Sequence, residues 1–195
     1  FRLNLGETTD KEICRNSVVL KGQSQLTSGP LDCQTNYITI NTENKAEIMK
    51  AIADEMADCW WQFGEGKVNY GTPQGTSVKY AICSIIDFDE KIRGKVSEIS
   101  YSEFYNFLQA ENKSATQSYL QYLYGINNAG LFSPQQEVKV NINQDKILTN
   151  QKYSIITGID DNISPYPDEL LKVYIIPTAE TSSRLDEDRE FITKA

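Results

Sequence analysis

The chain has 195 residues, of which 39% are apolar and 24% charged, which suits one compact domain and excludes long-range disorder and collagen-like repeats. Its 19 Lys and Arg against 27 Asp and Glu leave a net charge of −8, a poor match for a phosphate backbone or an anionic bilayer. Histidine is absent, so His-based triads, His metal sites and imidazole acid–base chemistry are excluded.

In chain order, Thr9-Asp10-Lys11-Glu12 has the capping-box pattern and predicts a helix through Ile13, Cys14 and Val18 to about Leu20, stopped by Gly22. Residues 23–30 read as loop. Thr35–Ile40 alternates polar and apolar and predicts a strand. Asn44, with Glu47 three positions on, predicts the start of a long amphipathic helix. Its stripe is Ile48, Ile52, Met56, Cys59, Trp60 and Phe63, and Gly64 ends it as a C′ residue. Residues 64–77 hold four glycines and one proline and read as a long loop or irregular hairpin.

Val78–Phe88 predicts a central strand, with Tyr80, Ile82, Ser84, Ile86 and Phe88 on one face and Ala81, Cys83 and Ile85 on the other. Ser100-Tyr101-Ser102-Glu103 is a second capping box before Phe104, Phe107 and Leu108. Ser114 is a cap candidate for a helix with Tyr119, Leu120, Leu123 and Tyr124, ended by Gly125. Glu137–Ile142, Tyr153–Ile159 and Lys172–Ile176 read as three more strands. The pattern is α+β rather than alternating βαβ: an antiparallel sheet of four to five strands, packed by the long helix at 44–63, in one domain over residues 1–179. Residues 180–195 read as a charged, solvated tail or a short terminal helix.

The four cysteines, Cys14, Cys33, Cys59 and Cys83, are widely spaced. Structural zinc sites bring ligands in close pairs such as C-x2-C, and none occurs here. Two disulfides fit the even count, with free buried thiols in a reducing compartment as the alternative. Pairing Cys14–Cys33 and Cys59–Cys83 closes the shortest loops. Asn112-Lys113-Ser114 and Asn162-Ile163-Ser164 are glycosylation acceptor sequons, which agree with an oxidising compartment. Export also calls for a signal or anchor upstream of Phe1, which is the expected route to any membrane.

Cys59-Trp60-Trp61-Gln62-Phe63-Gly64-Glu65-Gly66-Lys67 is the most distinctive segment. Its plain reading is a helix end with Trp60 and Phe63 in the core and Trp61 more exposed. Its functional reading makes Trp61 and Glu65, with nearby tyrosines, a carbohydrate or protein contact. Glu65 is also the one carboxylate that suits a glycosidase acid, although no mate for it is evident. Tyr101, Tyr105, Tyr119, Tyr122 and Tyr124 cluster in the middle helices and suit either an interface or the boundary of a core. Asp160 and Asp161, with Asp168 and Glu169, offer carboxylates for a calcium ion without the full 12-residue calcium-loop pattern, and a polar turn accounts for Asp160-Asp161-Asn162 without any ion.

At this same segment, followed by Ala81-Ile82-Cys83-Ser84, the chain resembles a group of uncharacterised archaeal extracellular proteins from small-genome (DPANN, Woesearchaeota-like) lineages. The likeness extends to Ile13-Cys14-Arg15-Asn16-Ser17-Val18, Leu31-Asp32-Cys33 and Tyr119-Leu120-Gln121-Tyr122-Leu123-Tyr124-Gly125. It implies an ectodomain held by an N-terminal hydrophobic anchor, and it lends no catalytic residue. The expectation is a non-enzymatic extracellular or cell-surface domain with no cofactor, whose partner is protein, either a second copy or another surface protein. A secreted carbohydrate-binding protein or carboxylate-based hydrolase around Trp61 and Glu65 is the alternative.

Overall fold

The structure, a computed structural model, describes residues 5–23, 31–70, 78–131, 145–160, 170–181 and 190–191. In chain order the elements are α1 (Leu5–Gln23), β1 (Asn36–Ile40), α2 (Lys45–Gln62), β2 (Val78–Phe88) and the short α3 (Glu90–Arg93). Then come β3 (Glu98–Ser100), α4 (Tyr101–Ala110), β4 (Asn112–Ser114), β5 (Gln117–Ser118) and α5 (Tyr119–Tyr124), followed by a 3-10 turn at Ala129–Leu131. The chain closes with β6 (Lys146–Leu148), β7 (Tyr153–Asp160), β8 (Leu170–Pro177), α6 (Thr178–Thr181) and β9 (Glu190–Phe191).

The α+β class holds, with helices against a main sheet in the order β1-β2-β7-β8, and with β9 also pairing with β2. The sheet is mixed rather than antiparallel. β1 and β9 run parallel to β2, while β7 runs antiparallel to β2 and β8 antiparallel to β7. The cause lies in the connection: α2 carries the chain back along the sheet before β2 starts, so β1-α2-β2 is a crossover unit and its strands must be parallel. Residues 190–191 return to Lys79 and Tyr80, so the charged C-terminal segment is tied to the sheet there. The expected strand at 137–142 lies outside the described residues.

α2 has the expected ends. The Asn44 side chain accepts from the Ala46 and Glu47 amides, at 3.0 and 3.5 Å, the usual N-cap bonding. The helix buries Ile48, Met49, Ile52, Ala53, Met56, Ala57, Cys59 and Gln62. α1 differs from expectation. It begins at Leu5, ahead of the capping-box pattern, and runs through Gly22 to Gln23. Gly22 serves a close approach rather than a stop: a Cβ there would lie 2.4 Å from Val68 Cγ1.

A bulge in β2 changes its facing. The register against β7 slips between Ile82 and Ser84, which puts neighbouring Cys83 and Ser84 on the same side, toward α2. Cys83 bonds to Cys59 there, and the Ser84 hydroxyl donates to Glu55 Oε2 at 2.7 Å. Ala81, Cys83, Ser84, Ile86 and Phe88 are therefore buried, while Ile82, Ile85 and Asp87 are half-buried. The even alternation expected for this strand breaks at that point.

The middle helices also shift. Ser100 caps α4, accepting from the Glu103 amide at 3.1 Å. Ser114, however, sits in the β4–β5 hairpin, and α5 is capped by Ser118, which accepts from the Gln121 amide at 3.2 Å. Gly125 ends α5 with φ of 71°, as a glycine C′ residue does.

Candidate functional site

The distinctive segment ends α2 in a Schellman motif. The Glu65 amide donates to the Trp60 carbonyl at 2.9 Å and the Gly64 amide to the Trp61 carbonyl at 3.1 Å, the paired bonds that close a helix through a left-handed residue. Gly64, Glu65 and Gly66 have φ of 81°, 56° and 71°. Glutamate is an uncommon occupant of that region, and here side-chain contacts hold it. The Glu65 carboxylate accepts from the Tyr122 hydroxyl at 3.0 Å and faces Arg15 Nη2 at 3.4 Å and Lys67 Nζ at 3.6 Å.

Arg15 comes from α1. It donates to the Trp61 carbonyl, and its guanidinium lies 4.5 Å from the centroid of the Trp61 ring. A cation at the C-terminal end of a helix also meets the negative end of the helix dipole. One turn earlier, Lys11 reaches Asp58 at 2.8 Å and Glu55 at 3.6 Å. The cluster therefore joins three elements, α1, α2 and α5. Sequence patterning does not single out Arg15. The available signal is Lys11 and Arg15 one turn apart on α1, matched by Glu55 and Asp58 on α2.

Burial alone would raise the Glu65 pKa, but the Tyr122 hydrogen bond, Lys67 and Arg15 outweigh it and hold the carboxyl below its ordinary value. Burial, and then the adjacent Glu65 carboxylate, push the Tyr122 hydroxyl well above the usual phenol range. A glycosidase proton donor needs the reverse, a carboxyl kept protonated near neutral pH. Trp61 is half-buried beneath Arg15. Trp60 is half-buried against the core, short of the full burial its place on the stripe predicts, while Phe63 is buried. A cavity of about 190 Å³ lined by Asp10, Ile13, Asp32 and Gln34 shares no residue with this cluster.

The tyrosines point inward. Tyr101, Tyr105, Tyr119 and Tyr124 are buried, and Tyr122 is half-buried. Among the described residues β8 is the last strand of the main sheet on its side. The Tyr101 hydroxyl donates to its Ile175 carbonyl at 3.3 Å, and the Tyr124 hydroxyl to its Val173 carbonyl at 2.8 Å. These bonds occupy edge acceptors that would otherwise pair with another strand. Tyr105 packs between Tyr101 and Tyr124, at ring separations of 6.2 and 6.1 Å. Tyr119 shares its hydroxyl with Asp54 and with Lys50 Nζ, the latter at 3.1 Å.

All four cysteines are paired, Cys14–Cys33 and Cys59–Cys83, and all are buried. The first bridge ties α1 to the chain before β1, and the second ties α2 to the β2 bulge. Asn112 is exposed on the β4–β5 hairpin, whereas Asn162, Asp161, Asp168 and Glu169 lie outside the described residues. Among the described residues no cluster of three metal-ligating side chains occurs, and no helix is long and apolar enough to cross a membrane. Comparison with protein-family models, curated proteins and solved structures finds no match to this chain.

Proposed function

We propose that the chain is a non-enzymatic domain of the cell exterior that acts through contact with protein. The observation that carries this reading is the condition of Glu65. It is held ionised by Tyr122, Lys67 and Arg15 at a helix end, so it braces α1 and α5 and lacks the proton that a glycosidase's general acid would transfer. Two buried disulfides are compatible with a secreted or extracellular protein. The buried tyrosines reinforce the sheet and move the candidate contact surface elsewhere. Attachment to a membrane through an upstream segment, implied by the archaeal resemblance, belongs to this proposal.

The test is a panel of chromogenic glycosides and immobilised oligosaccharides, applied to the oxidised chain and to Glu65→Gln. No turnover and no saccharide binding is the expected result for both. Hydrolysis that Glu65→Gln abolishes would overturn the reading in favour of a carboxylate-based enzyme, and saccharide binding lost in Trp61→Ala would overturn it in favour of a lectin.

A further inference from the structure

The two edges of the main sheet are treated differently. Among the described residues β8 is closed by tyrosine hydroxyls, whereas β1 at the other end pairs only with β2. The bond from the Asp89 amide to the Ile40 carbonyl, 2.9 Å, sets the phase of β1. In a parallel ladder alternate residues turn both backbone groups to the same neighbour. Ile38 and Ile40 therefore turn to β2, and the N–H and C=O of Tyr37 and Thr39 turn outward. Tyr37 is 68% exposed, and Thr39 is exposed too. Asn36-Tyr37-Ile38-Thr39-Ile40 carries no charge, no proline and no bulge, the devices that usually keep an edge strand from pairing.

We propose that a second copy of this chain occupies the β1 edge, pairing antiparallel about Ile38 to join two sheets across a two-fold axis. This rests on the reading of the chain as a contact domain. The strand is complementary to itself in that register. Tyr37 faces Thr39 of the other copy, and Thr39 faces its Tyr37. Those are the residues whose backbone groups point outward, so four inter-copy hydrogen bonds form. The pairs also set an aromatic against a β-branched side chain, a favourable cross-strand combination. Ile38 meets Ile38 at the axis, in the closer, non-hydrogen-bonded type of pair. No like charges meet inside the paired span, although each copy carries −8. Because β8 is capped, pairing ends at two copies and makes a closed isologous dimer instead of a filament.

Sedimentation equilibrium of the oxidised chain tests this, together with Thr39→Pro and Ile38→Cys. The Thr39 amide points outward, so proline there removes an inter-copy donor and spares the β1–β2 ladder, as edge prolines do. The expected result is a concentration-dependent dimer, weakened at least tenfold by Thr39→Pro with the circular dichroism spectrum unchanged. Ile38→Cys should be trapped on oxidation as a dimer linked through the two introduced thiols, the register placing them at a separation a disulfide can span. A chain that stays monomeric, a dimer that Thr39→Pro leaves intact, or failure of Ile38→Cys to cross-link would each overturn the proposal. These failures are distinct from failure of the contact-domain reading, which shows as saccharide turnover or binding whatever the oligomeric state.

Discussion

The Arg15 guanidinium stacks on Trp61 at 4.5 Å while donating to the carbonyl of that same residue, so one side chain grips both the ring and the backbone at the end of α2. Arg15→Ala removes a cation–π contact and a charge-assisted hydrogen bond together, and both are partly shielded from water. A loss of about 2 kcal/mol is expected in denaturant unfolding. Arg15→Lys should recover less than half of it, since an ammonium cannot lie flat on the ring and reach two acceptors at once. A loss below roughly 0.5 kcal/mol, the scale of an isolated exposed ion pair, would show that the cluster is ornamental.

The Glu65 carboxyl titrates below its ordinary value of 4.5, which fixes the sign of its pH dependence. A carboxyl with a depressed folded-state pKa contributes stability that is fully present above the unfolded value and is lost as pH falls through the folded one. The stability difference between wild type and Glu65→Gln should thus be constant around neutral pH and shrink once the pH drops below 4.5. Urea midpoints over a pH series measure it. A difference that grows on acidification would contradict the assignment of Glu65 as an ion held by Arg15, Lys67 and Tyr122.

The two bridges close loops of similar size, with sequence separations of 19 and 24 residues. Each should contribute on the order of 3 kcal/mol by limiting the unfolded chain. Their local effects should differ. Removing Cys14–Cys33 by double alanine substitution should raise amide exchange across α1, which this bridge fastens to the start of β1. Removing Cys59–Cys83 should raise it across α2 and β2 instead. Hydrogen exchange read by mass spectrometry distinguishes the two patterns.

Tyr101→Phe and Tyr124→Phe each delete one hydroxyl and leave the ring in place. Each should cost about 1 kcal/mol, the scale of a hydrogen bond lost inside a protein. The double variant frees the Ile175 and Val173 carbonyls of β8, so it should form assemblies larger than a dimer at concentrations where wild type does not. Light scattering measures this, and unchanged size would refute edge capping as the role of these tyrosines.

Features set by neighbours along the chain are legible in the sequence. The Asn44 and Gly64 boundaries of α2 follow from capping chemistry, and the disulfide pairing follows from loop length. What escapes depends on contacts between distant residues. Nothing within β2 announces that its register slips at Cys83, because the slip is defined against β7. Parallel pairing of β1 with β2 follows from α2 lying over the same sheet as both strands. Arg15 and Trp61 are 46 residues apart, and an arginine on a helix reads as a solvated charge until its partner is placed. The tyrosines are ambiguous for the same reason: their hydroxyls find acceptors on a strand that begins at Leu170, far along the chain.

The most direct test of an exported domain built on these two bridges is disulfide mapping of the protein taken from its own cells, alkylated before any reduction and digested without reductant. The expected result is no alkylated cysteine and two linked peptide pairs, Cys14 with Cys33 and Cys59 with Cys83. Four alkylated thiols would contradict it and place the working chain in a reducing compartment.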